Sequence, residues 1–288
     1  MNYCLEVKNL SKTYPGSNFS LDNVSMSIPQ GSIMGFVGEN GAGKTTTINL
    51  ILNTIKRDSG MIKIFGEEMT EEQTDIRNNI GVVFDAINFP EALTANRLAA
   101  VFKDIYQKWD GDLFQNLIRR LRVPAHIQIK DLSRGMTMKL ATAVALSHGA
   151  KLLLLDEATS GLDPVVREEM LDLFLEFVEN EEHSILMSSH ITSDLEKVAD
   201  YITFIHNGKV ILTEQKDLLL YKYGIARCKA EQFQNLDKLE YLAFRKRGLQ
   251  IDVLISDKKN FAKRHRGEII VDDVTIDEIM LLLVKGDQ

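Results

Sequence analysis

The chain is poor in cysteine, in long apolar runs and in positive charge, and each shortage excludes a class of protein. Cys4 and Cys228 are its two cysteines in 288 residues. They lie far apart and in no metal-like spacing, which excludes a disulfide framework and fits a reducing compartment. No stretch reaches the roughly 18 consecutive apolar residues of a membrane-spanning helix. The formal charge of −7 argues against a surface that coats DNA or RNA. The opening Met1-Asn2-Tyr3-Cys4-Leu5-Glu6-Val7-Lys8 carries charges where a signal peptide would be apolar. A cytoplasmic protein is expected. Internal repeats and low-complexity linkers are also missing. What remains is an ordinary globular composition, 44 % apolar and 26 % charged, with length for one large domain and a smaller one.

The stretch that organises the rest is Gly38-Glu39-Asn40-Gly41-Ala42-Gly43-Lys44-Thr45-Thr46. It follows the apolar run Ser32–Val37, which reads as a buried strand, and precedes a segment through Leu52 with apolar residues at helical spacing. Strand, glycine loop, Lys-Thr and helix make the P-loop arrangement G-x-x-x-x-G-K-[ST] in its required context. Gly38, Gly41 and Gly43 let the backbone turn tightly and point N–H groups inward. With the positive end of the helix dipole, those donors form a site for phosphates. Lys44 would reach the β- and γ-phosphates, and the Thr45 hydroxyl would ligate Mg²⁺.

Ahead of the loop, residues 5–31 alternate short β-type runs with turns, predicting a small antiparallel sheet. Tyr14, on the turn Lys12–Gly16, offers a ring either for stacking on a base or for surface packing. Strands are predicted at Met61–Gly66 and Ile80–Phe84, followed by a loop, Asp85-Ala86-Ile87-Asn88-Phe89-Pro90. From about Thr94 to Gly149 the spacing is helical, as in Leu98, Val101, Phe102 and Ile105. Lys151–Leu155 is an apolar strand suited to a sheet covered on both faces. Pro164 opens a helix through Val178, Ser184–Ser189 is the next strand, and Asn207-Gly208 joins a hairpin. Beyond Gly224 mixed short segments and a final helix, Ile276–Val284, suggest a small α/β appendage.

The strand ends carry the chemistry. Asp156-Glu157 places two carboxylates at the carboxyl edge of a parallel sheet, where α/β proteins bind ligands. Asp156 would hold Mg²⁺, directly or through water, and Glu157 would polarise an attacking water. His190 closes a second strand on that edge and would hydrogen-bond a γ-phosphate or the water.

These motifs, in this order, resemble the ATP-binding subunit of an ABC transporter over residues 3–223. Tyr14 matches that family's adenine-stacking aromatic, residues 38–46 Walker A, and Leu152–Glu157 Walker B with its catalytic Glu. Ser160-Gly161-Leu162-Asp163 matches the D-loop, and His190 the switch histidine. Leu132-Ser133-Arg134-Gly135-Met136 stands where Leu-Ser-Gly-Gly-Gln belongs, keeping Ser133 and Gly135. Asp85 stands where the family usually has the Q-loop Gln; a carboxylate is the better metal ligand, so the exchange either shifts the Mg²⁺ dependence or the coupling to the membrane partner, or is a tolerated swap. The resemblance is nearest to bacterial single-domain exporter ATPases, which often carry a C-terminal extension.

The resemblance implies a P-loop NTPase of α/β class, with a RecA-like, mostly parallel sheet. It adds an N-terminal antiparallel β subdomain, a helical subdomain at about 88–150, and a C-terminal accessory α/β domain at 224–288 after the ATP-binding domain at 1–223. It implies ATP and Mg²⁺ as ligands. Nucleotide contacts would come from Tyr14, Gly38, Asn40, Gly41, Ala42, Gly43, Lys44, Thr45, Thr46, Ser133 and Gly135, metal contacts from Thr45, Asp85 and Asp156, and catalysis from Glu157, His190 and Lys44. Each ATP would lie between Walker A of one subunit and the signature of another, in a homo- or heterodimer. A separate permease would dock near Phe89–Phe102, with Phe89, Pro90 and Leu93 as contacts or as ordinary core. Membrane contact would then be indirect, on the cytoplasmic face. Between Tyr241 and Arg266 eight basic residues (Arg245, Lys246, Arg247, Lys258, Lys259, Lys263, Arg264, Arg266) stand against Asp252 and Asp257. They form either a patch for lipid headgroups or an acidic partner, or solvated faces. Two rival readings are a soluble ATPase of this type acting on nucleic acid or in translation, and a regulatory subunit with weak turnover. The net acidity makes nucleic acid the less expected partner.

Overall fold

The computed structural model describes residues 2–70, 73–86, 89–265 and 268–287. Alternation builds the first layer. In strand β1 (Tyr3–Thr13) and strand β2 (Ser20–Pro29), Leu5, Val7, Leu21, Val24, Met26 and Ile28 are buried, the pattern of a sheet with one covered face. After β3 (Ile33–Val37) and helix α1 (Lys44–Ile51), strands β4 (Ser59–Ile64) and β5 (Glu67–Glu68) complete an antiparallel sheet in the order β2-β1-β4-β5.

A short α2 (Thr74–Arg77) leads into β6 (Ile80–Val83). The chain then leaves the sheet for α3 (Ala95–Ile105), α4 (Gly111–Arg120) and α5 (Arg134–Leu146). Each start is capped by an oxygen-bearing side chain. Thr94 accepts from the Arg97 N–H, Asp110 from Leu113 and Ser133 from Met136. The three helices bury Leu98, Phe114, Leu117, Ile118 and Leu140 together, with Phe102 stacked on Trp109 at 5.9 Å. Phe89, foreseen as a docking contact or as core, lies half-buried with its ring edge-on to Phe102, and Pro90 is exposed. Ile87 and Asn88, in the loop that leads into the expected helical subdomain at about 88–150, lie outside the described residues.

The chain returns through β7 (Leu152–Asp156), α6 (Pro164–Val178), β8 (Ser184–Ser189), α7 (Thr192–Val198), β9 (Tyr201–His206), β10 (Lys209–Gln215) and α8 (Lys216–Lys222). The central sheet has the order β10-β9-β3-β8-β7-β6, parallel except for β10 at its edge. Every residue of β3, β7 and β8 is buried, as strands covered on both faces require. The mostly parallel sheet, the antiparallel sheet ahead of it and the helical excursion are those the sequence pattern foretold. Register then does the positioning: Val37 pairs with Ser189, and Asp156 with Ser188. The carboxyl ends of three strands therefore finish side by side.

A third sheet begins at Gly224, with β11 (Gly224–Lys229), α9 (Ala230–Gln234), β12 (Ala243–Arg247), β13 (Gln250–Ile255), α10 (Lys258–Arg264), β14 (Ile270–Asp272) and α11 (Ile276–Lys285). Its order is β12-β13-β11-β14. Ile225, Leu254, Ile279 and Leu282 belong to the same buried cluster as Val37, Leu155 and Leu195. The Ile276 N–H donates to Glu196 Oε1 on α7 at 2.8 Å, so this segment shares the core of the main sheet. The positive patch summed from the sequence is smaller in space. Arg247 pairs with Asp252 (3.1 Å), Lys258 with Asp273 (2.6 Å) and Arg264 with Glu240 (3.2 Å). Asp273 and Glu240 lie outside the window that was summed, which is why the excess looked larger. Arg266 lies outside the described residues.

Candidate active site

The glycine loop leaves β3 at its carboxyl end and enters α1 at Lys44. Gly41 and Gly43 hold φ of 82° and 115°, backbone that a side chain disfavours. Gly38 is needed for space: a Cβ there would stand 2.4 Å from the Ile205 carbonyl oxygen. The loop leans on the β9–β10 turn, where the Gly208 N–H donates to Ala42 O at 3.0 Å. No side chain caps α1, and its first turn has no acidic residue. Its leading N–H groups are left for an anion.

Around this loop is a cleft of about 490 Å³. Glu39, Asn40, Gly41, Gly43, Lys44, Thr45, Thr46, Asp85, Asp156 and Glu157 all line it, and so does the ring of Phe19. A larger hollow of about 590 Å³, by Asn79, Lys108, Lys151 and Glu182, gathers no comparable chemistry.

Two chains of contacts run through the cleft. In the first, Ser188 Oγ donates to Asp156 Oδ1 (2.6 Å), and Thr45 Oγ1 donates to Asp156 Oδ2 (2.7 Å). Asp156 is 3 % exposed, and two hydroxyl donors offset the desolvation of its charge. In the second, Lys44 Nζ donates to Gly38 O at 2.7 Å and stands 3.1 Å from Glu157 Oε1. The other oxygen, Glu157 Oε2, accepts from His190 Nδ1 at 2.6 Å. Glu157 has φ of 54°, a strained conformation for a residue with a Cβ. Its N–H is held by Ser188, through the carbonyl at 3.1 Å and the hydroxyl at 3.2 Å. β8 thus aims both carboxylates at the end of β7.

The other residues singled out in the sequence divide between the loop, the cleft wall and positions outside the cleft. Ala42 is buried in the loop. Tyr14 is half-buried on its turn, with the Lys12 ammonium 5.6 Å from its ring centroid, and the aromatic lining the cleft is Phe19. Ser133 and Gly135 open α5 and are not among the cleft-lining residues. Asp85 reaches the cleft wall and accepts a hydrogen bond from Arg134. Sequence reasoning missed Phe19 and Ser188. Only the Ser188-Ser189-His190 strand end hinted at the latter.

Comparison with known proteins decides the family. The ABC transporter family model matches residues 21–160. The bacitracin transport ATP-binding protein BcrA of Bacillus licheniformis is 36 % identical over 214 residues, spanning 73 % of this chain and 69 % of that protein. The chain belongs to the ABC transporter ATP-binding family. The lantibiotic transport ATP-binding protein SrtF of Streptococcus pyogenes is 33 % identical over 216 residues, 74 % of this chain and 91 % of that one. A solved ATP-binding subunit of an ABC transporter superposes with a TM-score of 0.65 at 28 % identity, covering 75 % of this chain and 91 % of its own. A dimeric ATP-binding cassette bound to ADP and Pi shares the fold, with a TM-score of 0.66 at 23 % identity over 74 % of this chain and 98 % of that one. As an ABC ATPase, the chain binds ATP and hydrolyses it to energise transport through a separate membrane permease. No described helix is long and apolar enough to cross a membrane.

Proposed function

We propose that ATP is bound as its Mg²⁺ complex at the glycine loop, with Lys44, Thr45, Asp156, Glu157 and His190 performing the chemistry, and that two ATP-binding chains close around it. The observation carrying this reading is the convergence of the Ser188–Asp156–Thr45 and Lys44–Glu157–His190 contacts on one cleft. Its donor set suits Mg²⁺. Thr45 and Asp156 offer hard oxygens, while no group of three His, Cys, Asp or Glu among the described residues forms a complete metal cage. Mg²⁺ is held in this way, by one or two protein oxygens together with substrate phosphates. When bound it would neutralise charge developing on the phosphate oxygens.

The loop N–H groups and Lys44 would hold the phosphates. Glu157 would accept a hydrogen bond from the attacking water and orient it, and His190, bonded through Nδ1, fixes which way that carboxylate points. Ser133 and the first turn of α5, outside the cleft of their own chain, would offer donors to a γ-phosphate held by a second copy. Hydrolysis would remove the charge that joins the two copies. The bacitracin and lantibiotic transport relatives favour an exporter, with the chain peripheral on the cytoplasmic face. Residues 224–288 would serve as an accessory domain. Carboxylates paired with Arg247, Lys258 and Arg264 lessen the positive excess that would favour nucleic acid as a partner. Light scattering of Glu157→Gln with Mg²⁺–ATP tests the reading. Conversion to a dimer that EDTA reverses supports it, and a monomer that binds ATP without dimerising contradicts the two-copy site.

A further inference from the structure

Two of the positions at which this chain departs from the family pattern, Asp85 and Arg134, touch each other. Asp85 follows β6 and Arg134 opens α5, and Arg134 Nη2 donates to Asp85 Oδ1. The same guanidinium lies against the turn after β7. A Cβ on Gly161 would come within 3.3 Å of Arg134 Cζ and 3.4 Å of Nη1. One side chain therefore ties together the end of β6, the first turn of α5 and the Ser160-Gly161 turn. Asp85 meanwhile lines the cleft with Thr45, Asp156 and Glu157. A further carboxylate there, beside Glu39, Asp156 and Glu157, opposes a polyanionic ligand unless a cation offsets it, and Arg134 is the cation paired with it. Both partners are about half exposed (53 % and 54 %). Exposed pairs shift equilibria by about two- to fivefold. Such a pair biases a conformation and still yields to a competing divalent cation.

We propose that Asp85 and Arg134 form a switch pair that sets the metal dependence of the ATPase. While paired, Arg134 withholds the Asp85 carboxylate from metal and pins the first turn of α5. A divalent cation in the cleft competes for that carboxylate and frees the turn. Arg134 is a positioning residue in this scheme, acting through Asp85. The inference rests on the reading that the cleft takes Mg²⁺–ATP.

Two readouts on the full chain test it: hydrogen exchange of residues 134–138 and 159–163 without nucleotide, and the Mg²⁺ concentration at half-maximal turnover. Arg134→Gln should speed exchange in both segments and lower the half-maximal Mg²⁺ by about two- to fivefold. Asp85→Asn should speed exchange equally but raise the Mg²⁺ requirement. Exchange in the double variant should match either single variant, because one interaction is lost. The charge-reversed pair, Asp85→Arg with Arg134→Asp, should restore slow exchange. Wild-type exchange in the single variants, additive effects, or no restoration by reversal would overturn the pair. Failure of the wild-type chain to use Mg²⁺–ATP would instead overturn the function on which the scheme rests, while the exchange data still judge the contact.

Discussion

Replacing Ser188 by Ala removes the hydroxyl that organises both carboxylates. Ser188 is fully buried, and its Oγ donates to Asp156 Oδ1 at 2.6 Å. Asp156 would keep the Thr45 hydroxyl at 2.7 Å but lose its other side-chain donor. A hydrogen bond to a charged group contributes about 1.5–3 kcal/mol. The Glu157 N–H keeps the Ser188 carbonyl at 3.1 Å, so that end adds little. The unfolding equilibrium should shift about 10- to 150-fold, at about 1.4 kcal/mol per tenfold. Ser189→Ala is the control, since Ser189 Oγ accepts from the Ile191 N–H at 2.9 Å and touches no carboxylate; it should cost about 0.5–1.5 kcal/mol. Urea unfolding of both variants, with turnover measured beside it, decides the matter. A Ser188→Ala chain no less stable than Ser189→Ala, with wild-type turnover, would refute the argument that β8 orients the site.

Four further outcomes follow from the same geometry. Gly38→Ala forces a Cβ to 2.4 Å from a β9 carbonyl oxygen, and it should cost at least about 1–3 kcal/mol and weaken ATP binding in calorimetry. Glu157→Gly should be more stable than Glu157→Ala by about 1 kcal/mol, because glycine accepts the φ of 54° without strain, while both lose turnover. Burial disfavours the thiolates of Cys4 and Cys228 and pushes each pKa up to about 11. Thiol reagents at pH 8 should find neither in the folded chain and both in denaturant. Leu282→Ala on α11 opens a cavity in the cluster shared with Leu155 and Leu195. It should cost about 2–5 kcal/mol by denaturant titration, and a smaller loss would mean that α11 is only loosely seated.

What the sequence revealed was local. The leucine run 152–155 had to be a doubly covered strand, Pro164 fixed the start of α6, and Asn207-Gly208 fixed the β9–β10 turn. The glycine loop could be read because strand, loop and helix are contiguous. Features made by distant residues stayed hidden. Ser188 looked like one more strand residue until register set it beside Asp156. Phe19 lies five residues beyond the aromatic that the motif favoured. Asp85 and Arg134 read as two separate oddities, since nothing in their local sequence shows that the end of β6 and the start of α5 meet. The charge excess near the C-terminus shrank because its partners, Asp273 and Glu240, fell outside the counted window. The core shared by α7 and α11 depends on packing between segments some 80 residues apart.

An Mg²⁺-dependent ATPase completed by two chains turns over at a rate set by the chain's own concentration, and that dependence can be measured. The rate per subunit should climb with concentration, vanish with EDTA and collapse in Glu157→Gln. A rate per subunit that is constant down to the most dilute sample, or a Glu157→Gln chain that turns over normally, would contradict it.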